Sequence, residues 1–127
     1  GRAGVVEAVV AAMRGHTGNE DLQLYACGAV FCICQSPETR DRAGRAGAVE
    51  ALVVAMRGHT GNASLQSGAL TTLYRLTRLN NTDNATRAVR AGAKNLAEAA
   101  ILAHPCNKQV IEEARDFLKR LDFCVGR

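Results

Sequence analysis

The chain is 127 residues long, 47% hydrophobic and only 4% aromatic, with no Trp and a formal net charge of +4. That length fits one domain, and a core short of rings must be built from Ala, Val and Leu. Glu7, Glu50 and Glu98 interrupt the longest apolar stretches. No run approaches the roughly 18 apolar residues a membrane-crossing helix requires, so no membrane partner is expected.

The first segment in chain order carries Val5, Val6, Val9, Val10 and Met13 at helical spacing. It should end at Gly15, a residue suited to a positive-φ C-cap. Asn19 then reads as the N-cap of a second helix, with Glu20 and Asp21 favourably placed at the positive end of its dipole. Leu22, Ala26, Val30 and Ile33 form the apolar stripe of that helix, which is expected to run from Leu22 to about Gln35. Ser36-Pro37 reads as the N-cap and first position of a third, short helix that ends before Gly47.

From Gly47 the pattern restarts. Gly4–Asn19 and Gly47–Asn62 match at 13 of 16 positions, and MRGHTGN recurs unchanged 43 residues on. A second stripe follows in Leu65, Ala69, Leu73 and Leu76, on a helix expected to run to about Arg78. After the polar segment 80–92 a third, worn copy begins at Gly92, with Asn107 as its cap and Val110, Ala114, Leu118 and Leu121 as its stripe, to about Phe123. Periods in the forties are the mark of helical repeats. The chain divides into repeats at 1–46, 47–91 and 92–127, each contributing a short, a medium and a long helix. It starts with Gly1, partway into a repeat, and reads as a segment of something longer.

The five cysteines show no regular spacing. Cys27 and Cys34 share a helix face, but seven residues of helix separate them by roughly 10 Å, too far for a disulfide. Reduced, mostly buried thiols of a cytoplasmic or nuclear protein are the expectation. His16, His59 and His104 occupy equivalent places in successive repeats, and helices pack about 8–10 Å apart, so they cannot converge on one metal ion. An imidazole bonding a free carbonyl at a helix end is the simpler role. No catalytic triad, carboxylate pair or phosphate loop is legible, so no enzymatic activity and no cofactor are expected.

A three-helix period of about 43 residues, opened by Gly47-Ala48-Val49-Glu50-Ala51-Leu52-Val53 and continued by Leu65-Gln66 with Ala69 and Leu73, resembles the armadillo repeat. The resemblance covers essentially the whole chain, with HEAT repeats as near neighbours. It is weakest in the third copy, where Lys94-Asn95 replaces Val-Glu and Pro105-Cys106 replaces Thr-Gly. It implies an all-α, right-handed superhelical solenoid of armadillo-like repeats, whose third helices line a concave face that binds extended peptides.

On those third helices, the residues outside the apolar stripe form ladders: Phe31, Tyr74 and Lys119; Cys32, Arg75 and Arg120; Gln35, Arg78 and Phe123; Gly28, Thr71 and Asp116. In peptide-binding members of the family an Asn ladder clamps the ligand backbone. By register it should fall at Cys32, Arg75 and Arg120, where no Asn stands. The basic side chains Arg75, Arg78, Lys119 and Arg120 beside Phe31, Tyr74 and Phe123, with Gln35, instead suggest an acidic or phosphorylated peptide with an apolar anchor.

Residues 47–91 hold five basic and two acidic side chains, so the positive surplus lies in the same repeat as Arg75 and Arg78. Both arginines lie outside the apolar stripe and are expected to be dispensable for folding. A non-catalytic protein-interaction module is the reading. Nucleic-acid binding through the basic middle repeat is the alternative, disfavoured by the small surplus. End-to-end self-association through apolar repeat ends is a third.

Overall fold

A computed structural model describes residues 4–125, which form eight α-helices and one short 3₁₀ turn, with no strand among the described residues. The helices are α1 (Val5–Gly15), α2 (Glu20–Ile33), α3 (Pro37–Ala46), α4 (Ala48–Gly58), α5 (Ala63–Leu76), α6 (Thr82–Ala91), α7 (Ala93–Ala103) and α8 (Lys108–Val125). None of them is long and apolar enough to cross a membrane.

The caps set the starts. The side chains of Asn19, Asn62 and Asn107 accept from the N–H groups of Leu22, Leu65 and Val110 at 3.0, 3.0 and 3.1 Å. Each long helix therefore begins directly after its Asn, two residues ahead of the apolar stripe. Ser36 and Thr39 exchange capping bonds at the start of α3, with Pro37 as its first residue. The ends also differ from the sequence reading. α2 stops at Ile33 because Ser36 must be extended ahead of Pro37 (φ −132°, ψ 161°). α5 stops at Leu76, before a 3₁₀ turn in which Leu79 and Asn80 both adopt φ 57°.

Gly15 and Gly58 do not supply the positive φ expected of them. They are the last residues of α1 and α4, and the chain turns on His16 and His59 at φ −139° and −137°. The left-handed glycines are Gly47 and Gly92, at φ 95° and 92°, which join the short helices to α4 and α7 in one residue. Gly47 also has the Arg14 guanidinium lying where a Cβ would stand. In the next copy the equivalent Arg57 donates from Nη2 to the Ala91 carbonyl at 3.1 Å.

Helices of one kind pack against their counterparts: α2 on α5 and α5 on α8, α1 on α4 and α4 on α7, α3 on α6. The middle copy is sealed from both sides, so Val49, Leu52, Val53, Met56, Leu65, Ala69, Leu73 and Leu76 are all buried. In the first copy Val5 is exposed and Val9 and Ile33 are half-buried, because no counterpart covers that side among the described residues. In α8 the buried ring is Phe117, with Leu118 only half-buried. Phe117 takes the place of Thr72, whose hydroxyl donates to the Cys27 and Gly68 carbonyls at 3.0 and 2.7 Å.

Two polar devices hold the connectors. Gln23 and Gln66 are buried in the stripe, and each amide donates to two carbonyls at the end of the preceding helix. Gln23 serves Met13 and His16 at 3.0 and 2.9 Å, and Gln66 serves Met56 and His59 at the same lengths. The histidines do bond carbonyls, but those of the preceding copy: His59 Nε2 lies 2.7 Å from the Thr17 oxygen and His104 Nε2 lies 2.8 Å from that of Thr60. His59 Nδ1 also faces Glu20 at 3.3 Å. Glu7 pairs with Arg42 at 2.9 Å.

Only Cys27 and Cys34 are buried. Cys32 and Cys106 are exposed and Cys124 is half-buried, so the expectation of mostly buried thiols holds for two positions. Burial pushes the Cys27 thiol up to about 12. It pushes Cys34 up to about 11 against the opposing pull of Arg40 and Arg75.

Two outcomes are expected. With iodoacetamide at pH 8, mass spectrometry should find Cys32 and Cys106 alkylated in the native protein and Cys27 and Cys34 only after denaturation, since the thiolate is the nucleophile. Gln66→Ala removes the two hydrogen bonds its amide donates to the Met56 and His59 carbonyls. It should lower stability by about 1–3 kcal/mol in urea titrations, the usual net scale of two hydrogen bonds.

Candidate ligand-binding face

α2, α5 and α8 present a common face, and two arginine-on-ring stacks tie it together. The Arg75 guanidinium lies over the Phe31 ring, its carbon 3.7 Å from the centroid, and Arg120 covers Tyr74 at the same distance. Each arginine also donates from Nη1 to the main-chain carbonyl of the ring residue beneath it. Arg75 reaches Phe31 at 3.3 Å and Arg120 reaches Tyr74 at 2.7 Å. The same device thus occurs at both junctions between copies, with 44 and 46 residues separating ring from guanidinium. It has no further step, because Cys32 stands where the first arginine would be and Lys119 where the last ring would be.

These residues surround a surface pocket of about 330 Å³ lined by Phe31, Thr71, Tyr74, Arg75, Arg78 and Arg120. Five of the eight sequence-selected residues meet there. Gln35 does not: its amide donates to the Cys32 carbonyl at 3.1 Å, and it lines a separate apolar groove with Val5, Val6 and Ile33. Lys119 is exposed and Phe123 is 75% exposed, and neither lines the pocket.

Thr71, left out of the selection although it stands in the same ladders, borders the pocket. Its hydroxyl donates to Glu113 at 2.8 Å, and Ser67 donates to the other oxygen of that carboxylate at 2.6 Å. Glu113 is thus the acidic group at the rim, with both oxygens occupied. No sequence ladder pointed to it, because its counterparts are Gly68 and Tyr25.

Arg75 corrects one expectation. It lies outside the apolar stripe but is half-buried and bridges two copies, so it belongs to the packing as well as to the pocket. Arg78 is different. It is exposed and takes no part in the ion pairs Arg42–Glu7, His59–Glu20 and Lys94–Asp122. It sits at the turn that ends α5, and it also lines a second pocket with Arg40 and Asp41. Chemically the face offers fixed guanidinium donors over apolar rings, an arrangement that binds anions carrying an apolar part.

Removing a stack and a charged hydrogen bond together should register in stability. Arg120→Ala is expected to cost about 1–2 kcal/mol, in line with exposed cation–π pairs and single hydrogen bonds. Arg78→Ala should stay within about 0.5 kcal/mol, the range of ordinary surface substitutions, when both are measured by thermal unfolding.

Compared with known proteins, the chain matches no family model, no curated protein and no solved structure.

Proposed function

We propose that this chain is a non-catalytic protein-interaction module of armadillo-like repeats, a right-handed solenoid whose concave side is the face of α2, α5 and α8. Its ligand on this reading is an extended acidic peptide with an apolar anchor. The observation that carries the reading is the convergence of Arg75, Arg78 and Arg120 on one pocket floored by Phe31 and Tyr74. None of the three makes an ion pair with a carboxylate of the chain among the described residues. Side-by-side packing of like helices and the inter-copy histidine bonds support the solenoid part of the proposal.

Two ring-pinned arginines lose little side-chain entropy when an anion arrives, which favours affinity over what flexible surface lysines give. The residues that would clamp a ligand backbone in the family are here turned onto the chain's own carbonyls. Recognition therefore falls to the remaining guanidinium edges and the rings.

Charge reversal tests the reading at Arg78, where folding is not at stake. Arg78→Glu should weaken binding of an acidic tyrosine-containing peptide at least tenfold in calorimetry while the melting temperature stays put. Arg75→Glu is the wrong probe, because it would set a carboxylate against the Phe31 ring face and loosen the junction of α2 and α5. Unchanged peptide affinity in Arg78→Glu would count against this face. A steep loss of affinity for mixed oligonucleotides with salt, exceeding the loss for peptide, would favour nucleic acid instead.

A further inference from the structure

We infer that the pocket between Arg75, Arg78 and Arg120 is a site for one phosphoryl dianion attached to an aromatic or similarly flat apolar group, so that the peptide is read through a phosphorylated side chain. The inference rests on the peptide reading above and narrows it. Three guanidiniums line a space of about 330 Å³, and no other charged side chain lines it. Arg75 and Arg120 each spend one Nη1 donor on a main-chain carbonyl and are held flat by a ring at 3.7 Å, which leaves the rest of each fork for a ligand. Glu113 at the rim is occupied by Ser67 and Thr71, so it offsets part of the charge without competing directly for the arginines.

A carboxylate brings one charge and two oxygens, enough for a single bidentate fork. A phosphate monoester brings about −1.5 to −2 charges and three acceptor oxygens, enough to engage more than one of the three guanidiniums that line the pocket. The backbone next to Arg78 adds a second observation. Leu79 and Asn80 both hold φ 57°, a backbone region that asparagine tolerates but leucine rarely adopts. Arg78 opens this turn, two residues beyond the end of α5, and is the one arginine of the three that no ring or carbonyl holds.

The test uses phenyl phosphate, with benzoate as a carboxylate bearing the same ring and inorganic phosphate as the ringless anion. Each is titrated into the ¹⁵N-labelled protein while the Nε–H signals of Arg75, Arg78 and Arg120 are followed by NMR. Phenyl phosphate should move all three signals and bind at least tenfold more tightly than either comparison anion. Its affinity should fall severalfold from pH 7.5 to 5.5, as the second phosphate ionisation near 6 is crossed, while benzoate stays ionised and unchanged. Arg78→Lys, which keeps the charge and loses the fork, should remove most of the preference with the circular dichroism spectrum intact.

Equal affinity for benzoate and phenyl phosphate, or no movement of the three signals, overturns the phosphoryl site. An unphosphorylated acidic peptide that still binds at this face would then leave the broader reading standing. Inorganic phosphate binding as tightly as phenyl phosphate would show an anion site without use of the rings and would overturn recognition of a phosphorylated side chain.

Discussion

The main-chain carbonyls of the His-Thr-Gly-Asn connectors are the constraint on which the rest of the structure depends. A helix end leaves its last carbonyls without partners inside the helix. Here they are closed from two directions. From within the copy, the Gln23 amide takes the His16 carbonyl together with that of Met13 in the helix before it, and Gln66 takes those of His59 and Met56. From the following copy, His59 and His104 reach back to Thr17 and Thr60. The second direction makes the copies interdependent, because a connector is complete only when its successor is docked.

This accounts for MRGHTGN recurring without change. Met13 and Met56 are buried, and Arg14 and Arg57 reach the end of the next short helix. His16 and His59 present carbonyls to a glutamine, Thr17 and Thr60 present carbonyls to a histidine, and Asn19 and Asn62 cap the long helix. The third copy can depart from the string where only a carbonyl is needed. Pro105 replaces threonine without loss of that oxygen, and Leu102 stands 80% exposed where Arg57 had a carbonyl to reach. Its outer helix differs in polarity as well: Arg115 and Asp122 are exposed where Leu70 and Thr77 are buried. The opposite edge of the fold is apolar, with Val5, Val6 and Ile33 around a groove of about 460 Å³. The two ends therefore differ: an apolar groove at one, and exposed Arg115 and Asp122 together with exposed Phe123 on α8 at the other.

Repeat period, helix order and the asparagine caps were legible because each rests on local chemistry that the sequence spells out. What was missed depends on neighbours. Gln23 and Gln66 look like polar interruptions of an apolar stripe until the carbonyls above them are in place. Thr72 and Phe117 are equivalent yet dissimilar, and only the contact with the preceding long helix shows that both fill the same position. Gly15 and Gly58 carried the composition of a C-cap, but the left-handed turns fell at Gly47 and Gly92, where the short helices leave one residue for a change of direction. For the face of α2, α5 and α8, register placed five of the eight chosen residues around one pocket. It could not reveal that Arg75 and Arg120 fold back onto rings.

That folding back links the site to the repeat architecture. A guanidinium stacked on its own repeat would form a pocket independent of its neighbours. Here each stack crosses a junction, Arg75 of α5 over Phe31 of α2 and Arg120 of α8 over Tyr74 of α5. The positions of the charges are thus set by how closely successive long helices approach, the same distance that Thr72 and Glu113 fix through their bonds to α2 and from α5. An anion engaging the free edges of both arginines would bridge the second and third copies and resist any loosening between them. Arg75 and Arg120 thus hold the junctions and border the pocket at once, whereas Arg78, outside both stacks, adds charge to the pocket without bridging copies.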